Sequence, residues 1–246
     1  MQAADATTIP PVSHREAAAL GATEYERLLE LLRTLEPQDW SRATDCPEWD
    51  VRAMVAHVLG AAEAHASVRE NLHQQRVAAR SDRPLVDALG DIQIADCSGL
   101  AADALMTRLA EVAPRSMRAR RRIPAPVRAI RMKVELPFGT ERWRLGYLLD
   151  TIYTRDTWMH RVDIARVTGR ELVLTADHDG RIVADVVGEW ARRHGRPCAL
   201  VLEGPAGGEF VSKTDGPRYV LDAVEYCRIV SGRAGGDGLL ATPVPF

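Results

Sequence analysis

Asp156 and His160 stand four residues apart in RDTWMHRVD, a spacing that places both side chains on one face of a helix about one turn apart. His57 lies in VRAMVAHVLG, among alanine, valine and leucine, where an imidazole needs a reason to be. If the two segments pack side by side, His57, Asp156 and His160 converge, and two imidazoles with one carboxylate suit zinc or another divalent transition metal. Such a set leaves a position open for water or substrate, the mark of a catalytic site. Asp163, a turn further on, can orient one of the ligands. The same residues also read more plainly. An Asp–His pair at this spacing is a common surface interaction, and a single histidine on an apolar helix is commonly a hydrogen-bonded core residue. The pattern D-x-x-x-H is also less specific than H-E-x-x-H. His14, His65, His73, His178 and His194 show no comparable pairing.

The elements that must carry these residues follow from apolar spacing. Residues 1–12, ending at Pro10 and Pro11, read as a flexible tail. Ser13, with Glu16 three residues on, opens a helix that Pro37 ends. Trp40 and Trp49 are apolar anchors in the link that follows, and Asp50 caps a long helix to about Arg80. Shorter helices are expected near 84–95 and 100–113, then a loop or extended chain over the basic segment RSMRARRRIPAPVRAIRMK. A last long helix runs from about Thr140 to a stop at Gly169. Residues 1–170 thus read as a four-helix bundle and 171–246 as a small α+β domain, ordered helix, strand, strand, helix. The Gly- and Pro-rich ending AGGDGLLATPVPF is expected to pack down.

Composition narrows the class. With 246 residues, 46% hydrophobic, 27% charged and a formal charge of −2, the chain is globular and has no general electrostatic reason to bind nucleic acid or acidic lipid. No apolar run reaches the ~18 residues of a membrane span. The first residues lack the basic and apolar regions of a signal peptide, so a cytoplasmic location is expected. Cys46, Cys97, Cys198 and Cys227 are widely spaced, which fits isolated thiols in a reducing compartment. Cys46, before Pro47, reads as a small buried side chain and not as a ligand. Lys133 and Lys213 are the only lysines, and this Arg- and Ala-rich usage suggests a GC-rich bacterial genome.

The segment WSRATDCPEWDVRAMVAHVLG resembles the first metal-binding block of mycothiol-dependent maleylpyruvate isomerases, RDTWMHRVDIARVTGRE resembles their second, and VEYCRIVSGRAGGDGLLATPVPF is similar to the C-terminal domain attached to many of them. The resemblance implies a DinB-like bundle with an appended α+β domain, and an actinobacterial setting. It also implies a divalent metal, expected to be zinc, on His57, Asp156 and His160. Many relatives carry Glu where Asp156 stands, and the shorter arm keeps a carboxylate on the same face.

The family's cosubstrate is mycothiol, a small thiol. A free thiol with a pKa of roughly 8.5 is mostly protonated at neutral pH, and a metal would deprotonate and aim it. In the isomerase reaction the thiolate adds to the cis double bond of maleylpyruvate, the new single bond rotates, and loss of the thiol leaves fumarylpyruvate. Relatives that keep the thiol attached are S-transferases. An anionic substrate needs cationic partners, and the resemblance points to Arg233, or Arg228, in CRIVSGR. Each also reads as an ordinary surface arginine. The partners expected are therefore mycothiol and a small electrophile, with no nucleic acid and no membrane. The basic residues from Arg115 to Lys133 could leave a nucleic-acid footprint, but no helix-turn-helix or aromatic interleaving accompanies them, and a solvated loop or a wall facing an anionic conjugate fits better. A metal-assisted hydrolase on the same bundle and a noncatalytic thiol- or small-molecule-binding protein are the alternatives.

Overall fold

A computed structural model describes residues 3–246, which divide into two compact units, His14–Leu172 and the segment up to Ser13 together with Val173–Phe246. Each unit follows from its own local chemistry.

In the unit His14–Leu172, four long helices close a ring: α1 (His14–Leu32) and α2 (Val51–Ala66) each pack on both α5 (Ala102–Arg122) and α8 (Tyr153–Thr168). Their shared core includes Leu28, Leu32, Met54, Leu59, Leu105 and Leu109, all fully buried. Asp50 caps α2 as expected, its carboxylate accepting a hydrogen bond from the Ala53 amide at 2.7 Å.

The single helix expected from Asp50 to Arg80 is in fact two. Ser67 adopts an extended conformation (φ −141°, ψ 118°), ends α2, and caps α3 (Val68–Ala78) by accepting from the Glu70 amide. The Ser-x-x-Glu spacing that marks a helix start was present inside the apolar run. Helix α4 (Leu85–Asp96) follows and packs on α2.

The basic segment is also different from a loop. Helix α5 continues through Pro114 to Arg122, because Val112, Ala113, Ser116, Met117 and Arg120 extend the stripe begun by Leu105 and Leu109. Arg118, Arg121 and Arg122 project outward near its C-terminus, where cations suit the helix dipole. After the short α6 (Ala125–Arg128), strands β2 (Arg131–Leu136) and β3 (Gly139–Arg144) form an antiparallel hairpin where sequence spacing suggested loop and then helix. Alternation decides it: Val134 and Trp143 face inward and pack with Ile152. One turn, α7 (Leu145–Tyr147), and a π-helical turn, Leu148–Ile152, lead into α8. Asp150 in that π turn is held by Arg128 and by His14 Nδ1 at 3.2 Å. Gly169 ends α8 in the left-handed conformation (φ +67°) that the sequence suggested for it.

The second unit carries a four-stranded sheet. Strand β1 (Ala4–Asp5) lies parallel to β5 (Gly208–Ser212), which is antiparallel to β4 (Cys198–Glu203), and β4 is parallel to β6 (Arg218–Asp222). Residues 4–12 are therefore no free tail. Beyond the β1 pairing, the Val12 amide donates to Asp185 Oδ1 at 2.9 Å, and Arg192 and Arg181 donate to the Ile9 and Pro10 carbonyls. Both arginines and Asp185 belong to α9 (Asp179–His194), whose Ile182, Val183, Val186, Val187 and Trp190 are buried. A third strand, β6, occupies the start of what read as one helix, and α10 spans only Ala223–Val230, capped by Asp222. The C-terminal segment packs down: Val244 is buried and its amide donates to the Val230 carbonyl. Among the described residues, no helix is long and apolar enough to cross a membrane.

Candidate metal centre

The Asp50 cap fixes the start of α2, and His57 follows two turns later on a helix whose small residues permit close approach. On α4, Gly90 supplies the clearance: a Cβ there would lie 3.1 Å from the Trp49 ring and 3.8 Å from His57 Nδ1. Trp49 packs over both imidazoles, its ring centroid 4.8 Å from that of His57 and 5.8 Å from that of His160. From the other side, α8 presents Asp156 and His160 one turn apart. His57 Nε2 is 3.5 Å from Asp156 Oδ2, and His160 Nε2 is 3.1 Å from Asp156 Oδ1. The imidazole planes are nearly perpendicular, at 87°, with centroids 5.3 Å apart. Two helices far apart in sequence thus bring together the three residues that sequence spacing singled out.

The donor set fits a divalent cation. All three ligating atoms lie within 4.8 Å of one another. Donors bonded at about 2.0–2.1 Å to one tetrahedral ion sit about 3.3 Å apart, and each imidazole is near that distance from one oxygen of Asp156, His57 at 3.5 Å from Oδ2 and His160 at 3.1 Å from Oδ1. Burial pushes the Asp156 carboxyl up, but the charge and hydrogen bonds of His160, followed by those of His57, outweigh it and hold the group below the usual carboxylate range. Asp156 is therefore an ionised acceptor.

Asp163, fully buried, places Oδ2 3.6 Å from His160 Nδ1. A carboxylate behind a ligating imidazole keeps the proton on the far nitrogen and turns the near one toward the ion. Replacing Asp163 with Asn is expected to weaken metal affinity by about 10- to 100-fold. A competition titration against a fluorescent chelator measures it; affinity equal to wild type would remove Asp163 from this role.

Cys46, read from the sequence as a bystander, forms a further group with His160 and Asp163 whose donor atoms lie within 4.8 Å of one another. Trp49, read only as an anchor, is the wall of the site; its signal was the short Trp49–Asp50 step before the His57 helix. His14 and His73, which showed no pairing in sequence, meet Asp150 and Asp96 at 3.2 and 3.0 Å. Arg228 and Arg233 belong to the second unit. Arg228 is buried and donates to Glu225 at 2.6 Å, while Arg233 follows left-handed Gly232 and its amide donates to the Arg228 carbonyl.

Residues 22–165 match the family described as the mycothiol maleylpyruvate isomerase N-terminal domain, a stretch that contains His57, Asp156 and His160. The chain belongs to this family. Two solved structures share its fold: that of the mycothiol-dependent maleylpyruvate isomerase and that of a histidine-to-alanine mutant of it. Each is similar at 18% identity with a TM-score of 0.55, covering 90% of this chain and 90% of the other. No curated protein matches the chain. Family membership accounts for the mainly helical architecture, a DinB-like helical domain followed by a C-terminal α+β part.

Proposed function

We propose that this protein is a metal- and mycothiol-dependent isomerase or S-transferase acting on a small electrophile, maleylpyruvate-like in the isomerase case. The observation that supports this most strongly is the meeting of His57, Asp156 and His160 within the stretch that matches the family. A divalent cation, zinc by the character of these donors, supplies when bound the positive charge that keeps a thiol deprotonated near neutral pH.

The chain's own residues supply the rest. His57 and His160 bring neutral nitrogens and Asp156 a single negative charge, so a doubly charged ion keeps net positive charge to offer an anionic sulfur. Trp49 covers one side of both imidazoles and excludes water there. Asp163 fixes the His160 ring. Arg233, or Arg228 in its place, is proposed as a cationic partner for an anionic group of the substrate.

Incubation of the purified, metal-loaded protein with maleylpyruvate, with and without mycothiol, tests this reading. Turnover to the trans isomer, or a stable mycothiol adduct of an electrophile, is expected only when mycothiol is present. Metal-dependent hydrolysis that ignores the thiol would replace the reading with a hydrolase.

A further inference from the structure

One cation in the interior of the bundle is used by nothing described so far. Arg120, on the inward stripe of α5, is 3% exposed. Three other arginines of this unit each meet a carboxylate: Arg128 meets Asp150, Arg161 meets Glu24 and Arg170 meets Asp39. Arg120 does not. Its Nη1 donates to the Met117 sulfur at 3.5 Å, its Nη2 donates to the Leu149 carbonyl, and Tyr25 is hydrogen-bonded to it. Its guanidinium lies 5.8 Å from the centroid of the Tyr153 ring, and its Nε is buried with no hydrogen-bond partner among the described residues. Asp150 acts on Arg120 electrostatically without touching it, so the buried guanidinium has no carboxylate in direct contact, a costly arrangement unless an anion reaches it.

The surroundings connect this cation to the metal centre. Tyr153 precedes Asp156 by three residues on α8, about 4.5 Å along the helix axis. Tyr153 also meets His65, with ring centroids 4.3 Å apart. His65 lies on α2 eight residues beyond His57, and its Nδ1 is also buried without a partner among the described residues. Burial, and then the charge of Arg120, pushes the His65 imidazole down to about 3, so it is neutral at physiological pH. His57, His65, Tyr153 and Asp156 are only half-buried, while Val58, Leu59, Thr154 and Thr157 beside them are buried. Contacts therefore run from Arg120 through the Tyr153 ring to His65, on the two helices that carry Asp156 and His57.

We propose that Arg120 is an anion-recognising residue of this site, and that it takes a carboxylate group of a small organic acid whose reacting atoms lie at His57, Asp156 and His160. The part that places the reacting atoms rests on the function proposed above; the carboxylate site does not. The unpartnered Arg120 Nε–H, with His65 Nδ1 in the tautomer that carries its proton there, provides two donors, enough to fix a carboxylate and not merely to attract it.

Succinate, a four-carbon dicarboxylate with no reactive double bond, is the probe. Its binding to the full chain is measured by calorimetry, both metal-loaded and after chelation, for wild type, Arg120→Met, Arg120→Lys and the exposed neighbour Arg121→Gln. Wild type and Arg121→Gln are expected to bind equally, with or without metal. Arg120→Met should bind about 10- to 100-fold more weakly, with Arg120→Lys between them. Equal affinity in Arg120→Met, or binding that vanishes on chelation alone, overturns the proposal. Should Arg120→Met fail to fold, hydrogen exchange on wild type decides: succinate is expected to slow exchange at the C-terminal half of α5 and the start of α8, and unchanged exchange there contradicts the assignment. Because the probe requires no mycothiol, failure of the thiol chemistry leaves these results standing.

Discussion

His57→Ala and His160→Ala are each expected to purify with less than about a tenth of the metal bound by wild type, and to lose mycothiol-dependent turnover with it. Each variant removes one of two nitrogen donors and leaves a site with a single imidazole and a carboxylate. Changes to residues that merely support metal ligands typically cost 10- to 100-fold in affinity, and loss of a ligand costs more. The fold should survive. His57 is half-buried and His160 touches the core at Trp49, while the contacts among Leu28, Leu32, Met54, Leu59, Leu105 and Leu109 that hold the bundle remain. Elemental analysis with far-ultraviolet circular dichroism separates the two effects. Stoichiometric metal in both variants would remove the ligand assignment, while loss of helical signal would make these residues structural.

Arg161→Met is expected to have the largest effect on stability. Arg161 follows the proposed ligand His160 directly but points to α1, where its Nε lies 2.5 Å from Glu24 Oε1 and its Nη2 3.2 Å from Oε2. Both residues are at most 1% exposed. Removing the cation takes the Arg161 hydrogen bonds from the buried Glu24 carboxylate, a loss of about 3–5 kcal/mol. In a chain of this size each kcal/mol moves the melting midpoint by about 2–4 °C, so a fall of roughly 10 °C is expected by calorimetry. The double variant Glu24→Gln with Arg161→Met should recover much of the loss, because it removes the stranded charge. A single variant that melts with wild type would show that the pair contributes little.

Adjacent residues on α8 therefore face different ways: His160 meets Asp156 and lies beside His57, and Arg161 anchors the helix to Glu24 on α1. That division was partly legible in the sequence. Helical periodicity alone places Asp156 and His160 on one face, and it makes His57 conspicuous among Ala and Val. Their meeting across two helices was expected only on condition of helix pairing, since one chain of residues does not report which helices touch. Trp49 and Arg120 were harder to assign. A tryptophan reads as core, and Arg120 looks the same as Arg118, Arg121 and Arg122 until α5 turns it inward.

The same limit explains the misread elements. Strand β1 pairs residues near 4 with residues near 210, a partnership without any local signature. In YVLDAVEY the apolar spacing suits helix or strand equally, and only Asp222 with Glu225 three residues on marks where β6 yields to α10. The β2–β3 hairpin was hidden by proline and arginine content, although Met132, Val134 and Leu136 alternate as a strand requires.

X-ray absorption at the zinc edge, on wild-type protein loaded with one equivalent of zinc and free of thiol, probes the ion's donors without any assay of activity. Two imidazole shells with nitrogen at about 2.0–2.1 Å and additional oxygen scattering are expected, with no sulfur. A sulfur shell at about 2.3 Å that disappears in Cys46→Ser would instead put the ion on Cys46, His160 and Asp163, and His57 and Asp156 would not be its ligands.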